Sequence, residues 1–409
     1  METVQPKLRF PDFKDNWNNR KLGQFTQWAS GGTPPKDNVN YWNGDIPWIS
    51  ASSMRGLEYT KSELKITLEG LQKGSKLAKK GDLLLLVRGS MLFNKIPIGI
   101  AGIDVSFNQD LKSISVDNQV SNSKYILQWF FHSEPKVLNM VTGTGIGAGK
   151  LDLSDLKDLN INLPSLEEQN RIANFLSSVD EKLNLLKEKK ALLEEYKKGI
   201  MQKIFNQEIR FKDHNGEDFE DWEKKTLGEV ADFFKGKGLP KSNISDIGIF
   251  KCIHYGELFT KYNELIKNIL SKTDIYDKPF LSISNDVLMP TSDVTPNGLA
   301  TASCVLEDGI ILGGDVLIIR QKSKILDGLF LAFYIKQHRD DVMKLVSGST
   351  VYHLYGSDMK NLIIKYPCLE EQTKIANFLS AIDEKIALVS NQIQDTQEYK
   401  KGLLQQMFV

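Results

Sequence analysis

The feature that most constrains this chain is that part of its text occurs twice. Pro164-Ser165-Leu166-Glu167-Glu168-Gln169 is followed by Ile172-Ala173-Asn174-Phe175-Leu176-Ser177 and Asp180-Glu181-Lys182. The same order returns as Pro367-Cys368-Leu369-Glu370-Glu371-Gln372, Ile375-Ala376-Asn377-Phe378-Leu379-Ser380 and Asp383-Glu384-Lys385. Further on, Tyr196-Lys197-Lys198-Gly199 matches Tyr399-Lys400-Lys401-Gly402, and Phe205 matches Phe408. No gap is needed, and roughly half of the paired positions are identical, which marks a repeat architecture. Fainter echoes precede each copy. Arg9-Phe10, Trp17 and Leu22-Gly23 answer Arg210-Phe211, Trp222 and Leu227-Gly228, and Gly81-Asp82-Leu83-Leu84 answers Asn285-Asp286-Val287-Leu288. Ser154-Asp155-Leu156-Lys157 answers Ser357-Asp358-Met359-Lys360. The unit is therefore a variable domain of about 160 residues and a repeated segment of about 40, used twice. This predicts variable domains at 1–163 and 206–366, and repeated segments at 164–205 and 367–409.

Both repeated segments read as helices. Ser165 with Glu168 forms a capping box behind Pro164, and Cys368 weakens the equivalent cap in the second copy. The second copy carries an apolar stripe at Ile375, Leu379, Ile382, Ile386, Val389, Ile393, Leu403 and Met407, interrupted by Thr396 and Lys400. The first copy keeps the register with Ile172, Leu176, Val179, Leu183, Leu186, Leu193, Ile200 and Ile204. Steps that alternate four and three give a coiled-coil seam. Two such helices in one chain pack most simply against each other, antiparallel if the halves are related by a pseudo-twofold. A helix of roughly 38 residues at ~1.5 Å each spans about 57 Å. That is the length of roughly 17 base pairs at ~3.4 Å per step. Gly199 and Gly402 lie inside these helices, where glycine costs about 1 kcal/mol. Either another helix approaches closely there or the helix ends fray.

Composition sets outer limits. The 409 residues are 41% hydrophobic and 25% charged, which is ordinary for two to four globular domains. The three cysteines, Cys252, Cys304 and Cys368, have no disulfide or metal spacing and read as small buried hydrophobes in a reducing compartment. The N-terminal text lacks the apolar run of a signal peptide, and the longest apolar stretch, 83–87, is too short to cross a bilayer. These features predict a cytoplasmic protein. The 52 basic and 52 acidic residues give zero net charge, which counts against nucleic-acid binding unless the charges are sorted by face or partners supply phosphate contacts.

The repeated text at 163–176 and its second copy resemble the repeated regions of type I restriction–modification specificity subunits. So do Ser30-Gly31-Gly32-Thr33-Pro34 followed by Tyr41-Trp42 and Gly44-Asp45-Ile46-Pro47-Trp48-Ile49-Ser50, and Gly143-Thr144-Gly145 leading into Leu153-Ser154-Asp155-Leu156-Lys157. The resemblance extends over the whole chain. It implies an α+β fold, with two mixed α/β target-recognition domains in pseudo-twofold arrangement and two long helices packed as an antiparallel coiled coil. Each domain would read one half of a split site in double-stranded DNA. The helices would fix the gap and bind two adenine-methyltransferase subunits through Glu168, Gln169, Tyr196, Gly199, Glu371, Gln372, Tyr399 and Gly402. A translocating nuclease subunit would join them. No catalytic residue, cofactor, metal or membrane contact is implied for this chain. The second domain departs from the family pattern: Lys235-Gly236-Lys237-Gly238-Leu239-Pro240 stands where the Gly-Gly-Thr-Pro loop would be, and no Ile-Pro-Trp-Ile follows.

Base-edge and phosphate contacts need Arg, Lys and short polar side chains on loops. In the first domain these are Ser30, Gly31, Gly32, Thr33 and Lys36, then Arg88 and Ser90 after a buried strand at 83–87, then Thr144 and Lys150 in the loop 142–150. In the second they are Lys235, Lys237, Lys241, Thr291, Ser292, Ser349, Thr350, Tyr352 and His353. For any one of them a turn residue or solvated charge is the alternative. Trp48 and Trp129 read as core, while Lys251, His254 and Tyr255 fit either role. Gly143–Lys150 superficially resembles a phosphate loop, but Thr144 and Leu151 stand where glycine and a hydroxyl are required. Asp180-Glu181-Lys182 and its copy have the look of a nuclease motif, yet lie on the seam helices without further carboxylates, so they read as a solvated face or a partner contact. The five histidines have no ligand spacing. Two other readings compete: a protein-only scaffold, which would not bind duplex in a salt-sensitive way, and a free-standing nuclease or NTPase, for which no intact motif is present.

Overall fold

A computed structural model describes residues 5–145 and 147–409. The chain divides into two compact units, one running to Glu188 and resuming at Asn391–Val409, the other Lys189–Ser390. Each unit thus combines one variable domain with parts of both repeated segments.

The first unit is built on a five-stranded sheet in the order Thr26–Ser30, Leu111–Val116, Leu83–Leu86, Ile98–Ala101, Glu58–Tyr59. Leu83–Leu86 is fully buried, because four consecutive leucines point to both faces and both must be covered. A four-stranded sheet packs beside it in the order Lys65–Ile66, Trp42–Ile49, Val105–Phe107, Lys76–Ala78, with its central pair parallel. Helix Ser123–His132, capped by the Asn122 side chain, covers the core with Tyr125, Trp129 and Phe130.

The second unit repeats this plan from different residues. Its five strands run Ala231–Lys235, Val316–Gln321, Asp286–Pro290, Ser303–Val305, Leu265–Ile266, and its covering helix is Gly328–Gln337, capped by Asp327. Its four-stranded sheet places Phe250–Ile253 parallel to Ile311–Leu312, where the first unit has Trp42–Ile49 parallel to Val105–Phe107. In register, Cys252 opposes Ile311 as Trp48 opposes Ser106. The Ile-Pro-Trp-Ile strand missing from the second half is therefore present as backbone, with other side chains at all but its last position.

The repeated segments are the helices Leu166–Phe205 and Leu369–Met407, which begin slightly inside the bounds read from sequence. In the first unit Asp180 pairs with Lys400, at 2.6 Å. In the second Lys197 pairs with Asp383, also at 2.6 Å. Rising numbers on one helix meet falling numbers on the other, so the packing is antiparallel. Ile172, Leu176, Val179, Leu403 and Met407 join one core; Met201, Ile204, Ile375, Leu379 and Ile382 join the other. The interruption of the stripe at Lys400 is thus part of the seam, and the Asp180 motif is not a solvated face. Asp180 is buried, accepts from the Gln128 amide and from Lys400, and only Glu181 and Lys182 face outward.

The two seam pairs differ in their surroundings. Burial pulls the Lys400 ammonium below its usual range, with Asp180 opposing. In the second unit Glu264 adds a second acid to Lys197 at 3.0 Å and also meets Lys336. Burial pushes the Glu264 carboxyl up, but Lys336 and Lys197 together leave it below its usual value. Burial raises the Asp383 carboxyl despite Lys197.

Each helix start is clasped by the residues just before its unit's first strand. Arg9 donates two bonds of 2.8 Å to the buried Glu168, and Phe10 packs edge-on against Phe175. Arg210 does the same to Glu371 at 3.2 and 2.7 Å, and Phe211 packs on Phe378. This corrects the capping-box reading. The Glu168 N–H does donate to the Ser165 hydroxyl, but the Glu168 carboxylate turns to Arg9 instead of reaching back along the chain. Cys368 is also corrected: it is exposed, whereas Cys252 and Cys304 are buried, and burial pushes the Cys252 thiol up to about 11.

Candidate nucleic-acid interface

The five-stranded sheet decides which loops share an end. In the first unit, Thr26–Ser30 and Leu83–Leu86 both flank Leu111–Val116 antiparallel, so they run parallel to each other. Their C-terminal ends and the turn before Leu111 therefore meet at one edge. The loop 31–36, the turn at Gln109-Asp110 and the segment from Arg88 all leave the sheet there. Thr33 donates to the Gln109 side chain at 2.6 Å, Lys112 donates to Ser30 at 2.7 Å, and the Val87 N–H donates to the Asp110 carbonyl. Burial pulls the Lys112 ammonium below its usual value, with Asp110 opposing.

Gly31 and Gly32 are glycines for packing reasons. A Cβ on Gly31 would lie 2.2 Å from the Phe107 carbonyl, and one on Gly32 would lie 2.3 Å from that of Gly74. The Gly32 N–H is already given to Phe107 and its carbonyl to the Trp48 indole. Lys36 is exposed beyond this turn. Trp48 and Trp129 are core residues, as read from sequence.

Past the buried Val87 the chain forms a small three-stranded ribbon, Thr142–Gly143, Gly149–Lys150 and Arg88–Gly89. Thr142, Lys150 and Arg88 stand opposite one another in register, and Gly143, Gly149 and Gly89 form the adjacent row. Gly149 is buried, and a Cβ there would meet Val141 at 2.8 Å. Strand alternation then turns the Thr142–Lys150–Arg88 row outward. Thr144 closes the hairpin by bonding Ala148 through both its N–H and its hydroxyl. Ile146, within the phosphate-loop look-alike, lies outside the described residues. The loop is a strand hairpin rather than a strand-to-helix turn, and the following Leu151 is buried. Ser90 starts a short 3-10 turn and is exposed.

The second unit builds the same edge with other chemistry. A Cβ on Gly236 would lie 1.9 Å from the Gly313 carbonyl, and the Lys237 N–H donates to Leu312 as Gly32 does to Phe107. The Lys-Gly-Lys-Gly loop is thus the Gly-Gly-Thr-Pro loop in backbone terms. Leu354 donates to the Thr291 carbonyl as Leu151 does to Val87. By that register Arg88 and Lys150 correspond to Ser292 and His353, which pair directly, and Thr142 corresponds to Ser347, which bridges to His353. Lys235 pairs with Asp315 at 3.0 Å, and Thr291 also reaches Asp315. Lys235, Thr291, Asp315, His353 and Tyr355 line one cleft of about 340 Å3. Tyr352 is half-buried opposite Asp293, and Ser349 and Thr350 are exposed in the connecting turn. Lys237 donates to the Lys278 carbonyl, and Lys241 is exposed. Of the residues that fit either role, Lys251 is tied to Glu307 at 2.6 Å and His254 accepts from the Gly256 N–H. Sequence reading did not single out Asp110, Lys112, Asp315 or Tyr355. Only the strand register reveals them.

The helix residues fall into two groups. Glu168 and Gln169 are 1% exposed, and Glu371 and Gln372 fully buried. Gln169 accepts from Ser121 and donates to Pro164 and Val120. Gln372 accepts from the Asp327 N–H and donates to Pro367 and Ile325. These four side chains are occupied within their own units. Tyr196 and Tyr399 are about half exposed, at 52% and 56%. A Cβ on Gly199 would enter open space, and the helix continues to Phe205, so this glycine neither serves a close approach within the chain nor marks a frayed end. No His/Cys/Asp/Glu group suited to a metal ion occurs among the described residues. Among the same residues no helix is long and apolar enough to cross a membrane.

Comparison with known proteins agrees with this architecture. The family model described as "Type I restriction modification DNA specificity domain" matches residues 14–195 and again 219–397. The chain is 26% identical over 412 residues to a type I restriction enzyme specificity subunit of Methanocaldococcus jannaschii, covering 97% of this chain and 92% of that one. Its fold resembles the crystal structure of a type I restriction-modification system S subunit from M. genitalium, with TM-score 0.65, 17% identity and 99% of each chain covered. It also resembles a chain in a structure reporting complex assembly and conformational transition of the type I R-M system, with TM-score 0.54, 17% identity and coverage of 95% and 96%. The chain belongs to the type I restriction modification DNA specificity domain family and carries that domain twice.

Proposed function

We propose that each sheet edge reads one half of a bipartite site in double-stranded DNA, with residues 1–163 and 206–366 as the two target-recognition domains. The observation that carries this reading is the shared register of the two edges, with Arg88 and Lys150 in one and Ser292 and His353 in the other. A frame held constant while its outward side chains change is what two independent half-site readers require. The segments 164–205 and 367–409 fix the spacer. Their outward residues, among them Tyr196, Gly199, Tyr399 and Gly402, form the docking faces for two methyltransferase subunits, which a translocating nuclease subunit joins. The chain itself performs no catalysis. It directs adenine methylation and restriction in the cytoplasm.

The test is single-molecule methylation mapping of a genome carrying this chain with its methyltransferase, against a deletion of this chain alone. The expected result is adenine methylation at one split motif, lost on deletion. Methylation that survives the deletion contradicts the reading and favours a protein-only scaffold.

A further inference from the structure

The charges at the tip of the first unit are arranged against their own interest. Arg88 and Lys150 face each other directly across two antiparallel strands, at the separation where like charges destabilise a ribbon. Both are exposed, and among the described residues neither forms an ion pair. The Asp152 carboxylate two residues on is engaged by the Ser154 N–H and hydroxyl at 2.8 and 2.6 Å. Next to the basic row stand only glycines on these short strands: Gly149 is buried, Gly89 half-buried and Gly143 exposed, so no side chain in that row crowds Arg88 or Lys150. The equivalent positions in the second unit are Ser292 and His353, so the fold does not require two cations there.

We propose that Arg88 and Lys150 together read a guanine in the half-site of the first domain, and that positions 88 and 150 are its specificity-determining pair; this rests on the function proposed above. The major groove admits a pair of β-strands, such as the two at the exposed side of this ribbon that carry Arg88 and Lys150, and the O6 and N7 acceptors of guanine are the base edge best matched to Arg or Lys. Binding such an edge relieves the repulsion that the free ribbon bears. Phosphate offers the same acceptor chemistry, and the experiment separates the two.

Arg88→Gln and Lys150→Gln are introduced singly into the full chain, assembled with its methyltransferase subunits, and methylation is mapped with the unaltered complex alongside. The expected result is that one guanine position in one half-site becomes degenerate in both variants, with discrimination falling roughly tenfold to a hundredfold, while the other half-site and the spacer are unchanged. Arg88→Lys keeps the charge and removes the planar fork, so it lowers discrimination at that base without changing the salt dependence of binding. An unchanged motif with uniformly weaker binding and a shallower salt dependence means phosphate contact and overturns the inference, as does a first half-site without guanine. If the unaltered complex methylates no split motif, the proposed function itself fails, which is a separate outcome.

Discussion

The two sheet edges differ more in chemistry than in geometry. The first presents an Arg88–Lys150 row that has no ion pair among the described residues. The second presents a Ser292–His353 pair, with His353 and a Lys235–Asp315 pair lining a cleft. Beneath both lie the same strand order, the same glycine wedged against a carbonyl, and the same bond from Leu151 or Leu354 to the residue just after the buried strand. The difference teaches where this chain stores information. Residues that set the frame are confined to backbone contacts and buried clasps. Residues that point outward past the frame are free to change. The opposing charges of the chain sum to zero, so attraction to an anion depends on local rows such as this one rather than on net charge.

The comparison is broken most severely at the clasps. Glu168→Ala and Glu371→Ala each leave a partly buried arginine without its carboxylate, and each is expected to cost about 3–5 kcal/mol by urea unfolding. Both losses should be large, the Glu371 one somewhat smaller because Arg210 keeps Asp221 at 3.7 Å. A loss confined to one of them would show that the units are not held alike. Next come the wedged glycines. Gly31→Ala and Gly236→Ala drive a Cβ against backbone oxygen and should each cost about 1–3 kcal/mol, read as a lower melting temperature.

The seam sharpens the comparison because its two ion pairs are not equivalent. Asp180→Asn deprives Lys400 of its acid and should cost about 1.5–3 kcal/mol. Asp383→Asn should cost less, because Lys197 keeps Glu264. The pH dependence separates them further. With its carboxyl raised chiefly by burial, folded Asp383 holds its proton more tightly than the unfolded chain. It therefore contributes stability that is present below the ordinary carboxylate value of ~3.9 and lost as pH rises through its raised value. Between roughly pH 4 and 7, Asp383→Asn should lose less stability than the unaltered chain, and an equal loss would contradict this assignment. The smallest effect is at Gly199. Alanine there enters open space and should stabilise the free chain by up to about 1 kcal/mol.

Much of the frame was legible in the sequence. The seam spacing and the buried run 83–87 each correspond to an element with the expected role, while the paired Arg-Phe text, legible only as a repeat, forms the clasps. What escaped were features set by long-range register. Phe250–Ile253 occupies the strand of Ile46-Pro47-Trp48-Ile49 without sharing any residue but the final isoleucine, because strand pairing constrains backbone and burial rather than identity. Lys400 read as a break in the stripe because its partner Asp180 lies on the other helix. Glu168 read as a helix cap because Arg9 is far away in sequence. At the sheet edge, single residues such as Ser292 and His353 were recognisable only as polar loop positions; that they stand opposite one another, and match Arg88 and Lys150, follows from the fold alone.

The central claim is that the two edges read DNA independently. Residues 1–163 are replaced by the corresponding domain of another member of the family, and the methylated motif is mapped in a genome carrying the hybrid with the same methyltransferase. The account predicts that one half of the motif changes while the other half and the spacer stay as they were. A motif altered in both halves, or in neither, would contradict it.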